Sequence, residues 1–181
     1  MWLLIDSLRI LSQRGLRKMK SKAQHGAGKN KIRIMVVDDH AIVRQGLIKL
    51  IETEFDLMVC SEVENANQAL EAMGKQEFDL AIVDISLEGI NGLELTEIMK
   101  LRSPKMIVLI LSMYEGLFYA QRALRAGASG YVAKYEAAEK IITAIRLVLS
   151  GKIYVSDSRM VKNISDTTSI IDDSINTNKA T

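Results

Sequence analysis

Ile32-Arg33-Ile34-Met35-Val36-Val37-Asp38-Asp39 is the stretch that declares the architecture. A nearly continuous apolar run with β-branched residues stops abruptly at two carboxylates. A run apolar on both faces suits a central parallel strand buried between helices. The pattern then repeats along the chain. Ile42, Val43, Leu47, Leu50 and Ile51 recur at helical spacing, Leu57–Ser61 predicts a second strand, and Ala66, Ala69, Leu70 and Met73 mark a second helix. Leu80–Val83 is a third apolar run closed by Asp84, followed by a helix over Leu93–Leu101 that Pro104 terminates. Met106–Leu111, closed by Ser112, leads to a helix carrying Phe118, Tyr119, Ala123 and Leu124, which Gly127 stops. Gly130–Ala133, closed by Lys134, is a short fifth strand, and Ile141, Ile142, Ile145, Val148 and Leu149 stripe the last helix before Gly151. Strand and helix alternate five times, and right-handed crossovers then require an α/β fold with a parallel sheet covered on both sides.

The whole chain has 181 residues, 48% of them hydrophobic and 25% charged, which suits one domain with something left over. The one cysteine, Cys60, excludes an internal disulfide and cannot by itself form a zinc site, so a cytoplasmic protein is expected. A net charge of +2 conceals an asymmetry: residues 1–31 hold eight Lys/Arg and one Asp, while residues 32–181 hold sixteen against twenty-one acids. The organisation expected is a basic flexible extension over 1–31, a domain over 32–156 and a polar tail over 157–181. In the extension, Trp2-Leu3-Leu4-Ile5 is too short to span a bilayer, which needs about 20 apolar residues, and its order of charge is the reverse of a secretory signal. Three readings of it stand: a basic helix on an anionic membrane surface, an arm touching nucleic acid, or a dispensable extension with Met19 as the natural start.

Ligands of open α/β sheets bind beyond the carboxyl ends of the strands. This chain puts its polar residues there: Asp38 and Asp39 after the first strand, Asp84 after the third, Ser112 after the fourth and Lys134 after the fifth. Three neighbouring carboxylates repel, and a cation relieves them. Mg2+ is the natural choice, because it takes few carboxylates and keeps water. A lysine and a hydroxyl opposite a metal could hold the remaining oxygens of a phosphoryl group, and aspartate is a known covalent acceptor of such groups.

In these residues the sequence resembles the receiver domains of bacterial two-component response regulators, over roughly Ile32 to Ser156. The likeness is carried by Val36-Val37-Asp38-Asp39-His40, Asp84-Ile85-Ser86-Leu87-Glu88-Gly89-Ile90-Asn91-Gly92-Leu93-Glu94-Leu95, Leu111-Ser112-Met113 and Ala126-Gly127-Ala128-Ser129-Gly130-Tyr131-Val132-Ala133-Lys134. The last two of these motifs, with Gly151-Lys152-Ile153-Tyr154-Val155-Ser156, are most similar to the NarL/FixJ subgroup, whose output is a LuxR-type helix-turn-helix. The resemblance implies a doubly wound (βα)5, flavodoxin-like three-layer sandwich, its five parallel strands in the order 2-1-3-4-5. It implies that Asp84 accepts a phosphoryl group from a sensor histidine kinase or phosphotransfer protein. Asp39 and Asp84 would bind Mg2+ directly, Asp38 through water, and the Ser86 backbone carbonyl would be a further ligand. Lys134 would pair with the phosphoryl oxygens, the Ser112 hydroxyl would move towards them, and Tyr131 would turn inward with that move. Ser86 and Tyr114 occupy positions that tune phosphoryl lifetime. Such a protein is a switch rather than a turnover enzyme, and a homodimer is an open association.

Two departures stand out: Glu88 and Tyr135 each take a place where many relatives have proline, so no cis bond is expected before residue 135. Plainer readings stand beside the sharp ones. Asp38 or Asp39 suits a helix cap, His40 a helix start rather than a ligand, Cys60 a small buried hydrophobe and Tyr131 plain packing. Gly89 and Gly92 form no dinucleotide fingerprint. Ser86 stands where a hydrolase of the Asp-x-Asp type needs its second acid, and the strand ends lack the loops of a flavin site.

Of the 25 residues in 157–181, 15 are Ser, Thr, Asp or Asn, although Met160, Val161 and Ile164 could extend a short helix. The tail lacks the amphipathic helices and basic face of a helix-turn-helix, so no nucleic-acid binding is expected of the visible domain. Two functions follow: a stand-alone receiver presenting a switched protein-interaction surface, or a LuxR-type transcriptional regulator whose DNA-binding output is missing.

Overall fold

The computed structural model describes residues 31–114 and 116–156; the readings made for residues 1–30 and 157–181 lie outside the described residues. Strands β1 (Ile32–Val37), β2 (Leu57–Val63), β3 (Leu80–Asp84), β4 (Ile107–Ser112) and β5 (Gly130–Ala133) alternate with helices α1 (Ala41–Ile51), α2 (Ala66–Lys75), α3 (Gly92–Arg102), α4 (Leu117–Arg125) and α5 (Ala137–Leu149). The strands are parallel and lie in the order β2-β1-β3-β4-β5, as expected. A sixth strand, β6 (Tyr154–Val155), pairs in parallel with β5 and extends the sheet beyond the expected five. At two residues it is too short to show any periodicity in sequence.

The sheet separates two cores. On one face α2, α3 and α4 bring Ala69, Leu95, Met99 and Ala123 against Met35, Ala81, Val83 and Ile110. On the other, α1 and α5 bring Leu47, Ile51, Ile141, Ile145 and Val148 against Ile34, Val36, Ile82 and Leu109. All five residues of β3 are buried, which explains why that strand reads as an unbroken apolar run. Each such Leu or Ile stabilises the fold by roughly 1.5–3 kcal/mol relative to an exposed position. Asn65 and Asn91 cap α2 and α3 with their side-chain oxygens, and Gly127 (φ 95°) and Gly151 (φ 82°) turn the chain out of α4 and α5 in the left-handed region.

Two local features depart from simple periodicity. Ile34 pairs with Val59 but Met35 pairs with Ser61, so Cys60 is left over as a bulge in β2. The bulge reverses the side-chain alternation, so that Leu57 and Val59 pack on the α1 face while Cys60 and Val63 pack on the opposite one. In α1, Ile42 is 83% exposed although it belongs to the apolar set, and Arg44 joins Leu47 and Ile51 on the buried stripe instead. Ile42 lies two residues, about 200°, round the helix from Arg44.

Candidate functional site

Register brings the strand ends together. Val37 lies beside Val83, Asp84 beside Leu111 and Ser112 beside Ala133, so residues just past these pairs share one edge of the sheet. Asp38, Asp84 and Ser112 are buried there, and Asp39 and His40 are more open. One side-chain ligand atom each of Asp38, Asp39, His40 and Asp84 fits within a group whose members all lie within 4.8 Å of one another.

Lys134 reaches into this group from the end of β5. Its Nζ lies 2.8 Å from Asp38 Oδ2 and 2.8 Å from Asp84 Oδ2, and it donates a hydrogen bond to the latter. The Asp38 contact is a buried ion pair of the same length. Burial pushes the Asp84 carboxyl above its ordinary value, against the hydrogen bond and charge of Lys134; the charge of Asp38 adds to the rise. For Lys134 burial works against the ammonium, but contacts with Asp38 and Asp84 outweigh it and the pKa is raised. Asp84 Oδ1 is buried and finds no hydrogen-bond partner among the described residues. A buried carboxylate oxygen left open, beside two further carboxylates, is a donor set that fits a hard, oxygen-seeking cation such as Mg2+.

The remaining expected residues take distinct places. Ser112 Oγ accepts from the Tyr114 N–H at 3.0 Å, so the hydroxyl is engaged by its own loop. Tyr131 is buried, and its hydroxyl donates to the Tyr114 carbonyl at 2.6 Å. The Tyr114 ring is stacked on Tyr119, with centroids 4.8 Å apart. Ser86 is exposed in the loop after Asp84. His40 is the residue preceding α1, as a helix start, and its Nδ1 also lies 2.6 Å from Asp39 Oδ1 and 3.3 Å from Asp38 Oδ1. Neither aspartate caps α1 in the ordinary way; Asp38 Oδ1 instead accepts the N–H of His40 at 2.8 Å. Cys60 is half-buried, with Sγ 3.7 Å from the Ile34 carbonyl. The described residues contain no cis peptide bond, in keeping with Tyr135.

Three residues of the surrounding frame hold the site in roles that no motif assigned. Gly92 opens α3 so close to β3 that a Cβ would lie 2.8 Å from the Asp84 carbonyl carbon and 2.9 Å from Ile85 Cα. Its N–H donates to the Ile85 carbonyl at 2.9 Å, which ties the loop after Asp84 shut. Ser156 Oγ accepts the Ala133 N–H at 2.9 Å and holds the end of β5 next to Lys134. Arg44 donates to the Asp38 carbonyl at 2.7 Å, and its spacing with Leu47 and Ile51 was the available signal.

A family model described as the response regulator receiver domain matches residues 34–146. The chain is 33% identical over 126 residues to the transcriptional regulatory protein DegU of Brevibacillus brevis, covering 70% of this chain and 53% of that protein. It is 32% identical over 125 residues to the response regulator GacA of Pseudomonas viridiflava, covering 69% and 58% respectively. The chain thus spans a little over half the length of these relatives. A crystal structure of a LuxR-family two-component response regulator from Aurantimonas sp. SI85-9A1 superposes with a TM-score of 0.69 at 32% identity, over 77% of this chain and 99% of that one.

Proposed function

The chain belongs to the response regulator receiver domain family, and from that premise we propose that it is a phosphorelay switch whose acceptor is Asp84. The observation that carries this reading is the Lys134 ammonium held between Asp38 and Asp84 while Asp84 Oδ1 stays unpartnered among the described residues. Asp38, Asp39 and Asp84, with the Ser86 carbonyl, would hold Mg2+, Asp38 through water. Bound there, the ion would neutralise charge on the transferring phosphoryl group.

In the transfer, a carboxylate oxygen of Asp84 attacks the phosphorus of a sensor kinase or phosphotransfer phosphohistidine. The new O–P bond forms as the P–N bond breaks, and the departing imidazole nitrogen takes a proton from solvent. Lys134 exchanges a carboxylate contact for a phosphoryl oxygen and keeps its charge compensated. The Ser112 hydroxyl turns from the Tyr114 N–H towards the phosphoryl group, and the Tyr131 hydroxyl, bonded to the Tyr114 carbonyl, feels that rearrangement directly. The result is a switched surface for a protein partner rather than catalytic turnover. The receiver occupies 32–156 within a cytoplasmic protein; among the described residues no helix is long and apolar enough to cross a membrane. The basic leader and polar tail flank it.

The test is incubation with a small acyl-phosphate donor and Mg2+, read by intact mass. We expect a hydroxylamine-labile adduct that is lost in Asp84→Asn; a full-strength labile adduct in that variant overturns the assignment.

A second reading has an observation of its own. DegU is named a transcriptional regulatory protein and is covered over only 53% of its length. A LuxR-type DNA-binding regulator of which this chain supplies the receiver would give such a match. Helix-turn-helix coding sequence in the frames downstream of Thr181 would favour it over a stand-alone switch.

A further inference from the structure

We propose that Arg44 is a positioning residue for the metal-binding acids: through the Asp38 backbone carbonyl it holds the turn that aims Asp38 and Asp39, and so sets the affinity for Mg2+. This rests on the reading of Asp38, Asp39 and Asp84 as the Mg2+ site.

Arg44 is 8% exposed, an unusual state for an arginine unless its charge is paired. Its Nη1 donates to the Asp38 carbonyl at 2.7 Å, and its Nη2 donates to Glu64 Oε1 at 2.9 Å. Its Nε lies 3.6 Å from Glu62 Oε2, an ion-pair rather than a hydrogen-bond distance. The guanidinium is therefore a planar bracket: one arm grips the backbone of the acidic turn, and the rest is anchored on the end of β2. A rigid fork can fix a carbonyl in this way, whereas a lysine offers only a point charge on a flexible stem.

The anchor exists because of the bulge at Cys60. In an unbroken strand Glu62 would share the parity of Cys60 and face the α2 side, away from Arg44. The extra residue reverses that parity, and Glu62 instead meets α1, where Gln45 Nε2 also donates to it at 3.2 Å. An irregularity in an outer strand thus reaches the acids in two steps, from Glu62 to Arg44 and from Arg44 to the Asp38 carbonyl.

Charge alone predicts the opposite of positioning. Removing a cation beside three carboxylates should strengthen the binding of a second cation, while loosening the turn should weaken it. The sign of the change therefore separates the two. Mg2+ itself is the probe, titrated calorimetrically into the full chain, with thermal stability measured in parallel without Mg2+. Arg44→Gln should weaken Mg2+ binding about tenfold or more, the range for partners that orient metal ligands. Arg44→Lys should weaken it as well, since the charge remains but the fork does not. Arg146→Gln is the control for a general loss of stability. It breaks a comparable network with Glu54 and Asp56, away from the acids, and should leave the Mg2+ affinity unchanged. If Arg44→Gln does not fold, Arg44→Lys carries the test, because it keeps the charge and removes only the fork. Unchanged or tighter binding in the folded Arg44 variant overturns the inference and leaves the site reading standing. Full affinity in Asp39→Asn overturns the site reading and this inference with it.

Discussion

Lys134 and Asp84 are 50 residues apart in the chain, and a 2.8 Å hydrogen bond joins them at the carboxyl edge of the sheet. The lysine is the only counter-charge in contact with the buried Asp84 carboxylate among the described ion pairs, and it is shared with Asp38. The unphosphorylated site is therefore held by one cation where two buried acids meet.

Lys134→Ala should expose that dependence. Breaking a buried pair by removing one partner leaves uncompensated charge, and a loss of about 3 kcal/mol or more is expected. Mg2+ should still bind and should raise the stability of the variant more than that of the parent. Activation-dependent spectra should fail to change. Urea unfolding with and without Mg2+ checks the first part, and an equal Mg2+ response in both proteins would count against it.

Gly92→Ala forces a methyl group against the Asp84 backbone, where the neighbouring atoms belong to main chain and cannot rotate away. We expect a loss of about 1–3 kcal/mol together with slower uptake of phosphoryl groups, because the acceptor must shift. Unchanged denaturation midpoints and phosphorylation rates would show that α3 can retreat without moving Asp84.

Tyr131→Phe removes the donor to the Tyr114 carbonyl while keeping the buried ring. A cost of about 1 kcal/mol follows from losing one hydrogen bond of this kind. Amide exchange at Met113 and Tyr114 should accelerate, since the loop retains its ring stacking but loses this tether. Parent-like protection there would place the constraint elsewhere.

Tyr154 gives a pH dependence. Burial pushes its phenol above the ordinary value near 10, the nearby Glu136 carboxylate pushes the same way, and the Ser156 hydroxyl opposes them. A folded-state value above the unfolded one means that the unfolded chain releases its proton first as pH rises. The stabilising contribution is thus fully present below about pH 10 and declines as pH climbs through the folded value. Tyr154→Phe should flatten this alkaline limb in unfolding experiments, and an unaltered limb would contradict the assignment.

Much of this was legible before any tertiary contact. Apolar runs ending in Asp38, Asp84, Ser112 and Lys134 recur between helical stripes, and parallel strands place such ends on one edge by topology alone. Strand order, helix spans and the group of acids follow from local periodicity and from the likeness of the motifs. Arg44 was hidden because a charged residue at a buried helical position is masked by the apolar neighbours that define the stripe.

The sequence by itself determined the five-fold alternation of strand and helix, the polar strand ends and the family to which they belong. Only the tertiary structure decided that Lys134 bridges Asp38 and Asp84, that the Tyr131 hydroxyl is tied to the Tyr114 carbonyl, and that Glu62 turns to meet Arg44. The reason is the range of the interactions. Periodicity records which way each side chain points along one element, whereas these contacts depend on register between strands and on one bulge residue, Cys60, that resets it.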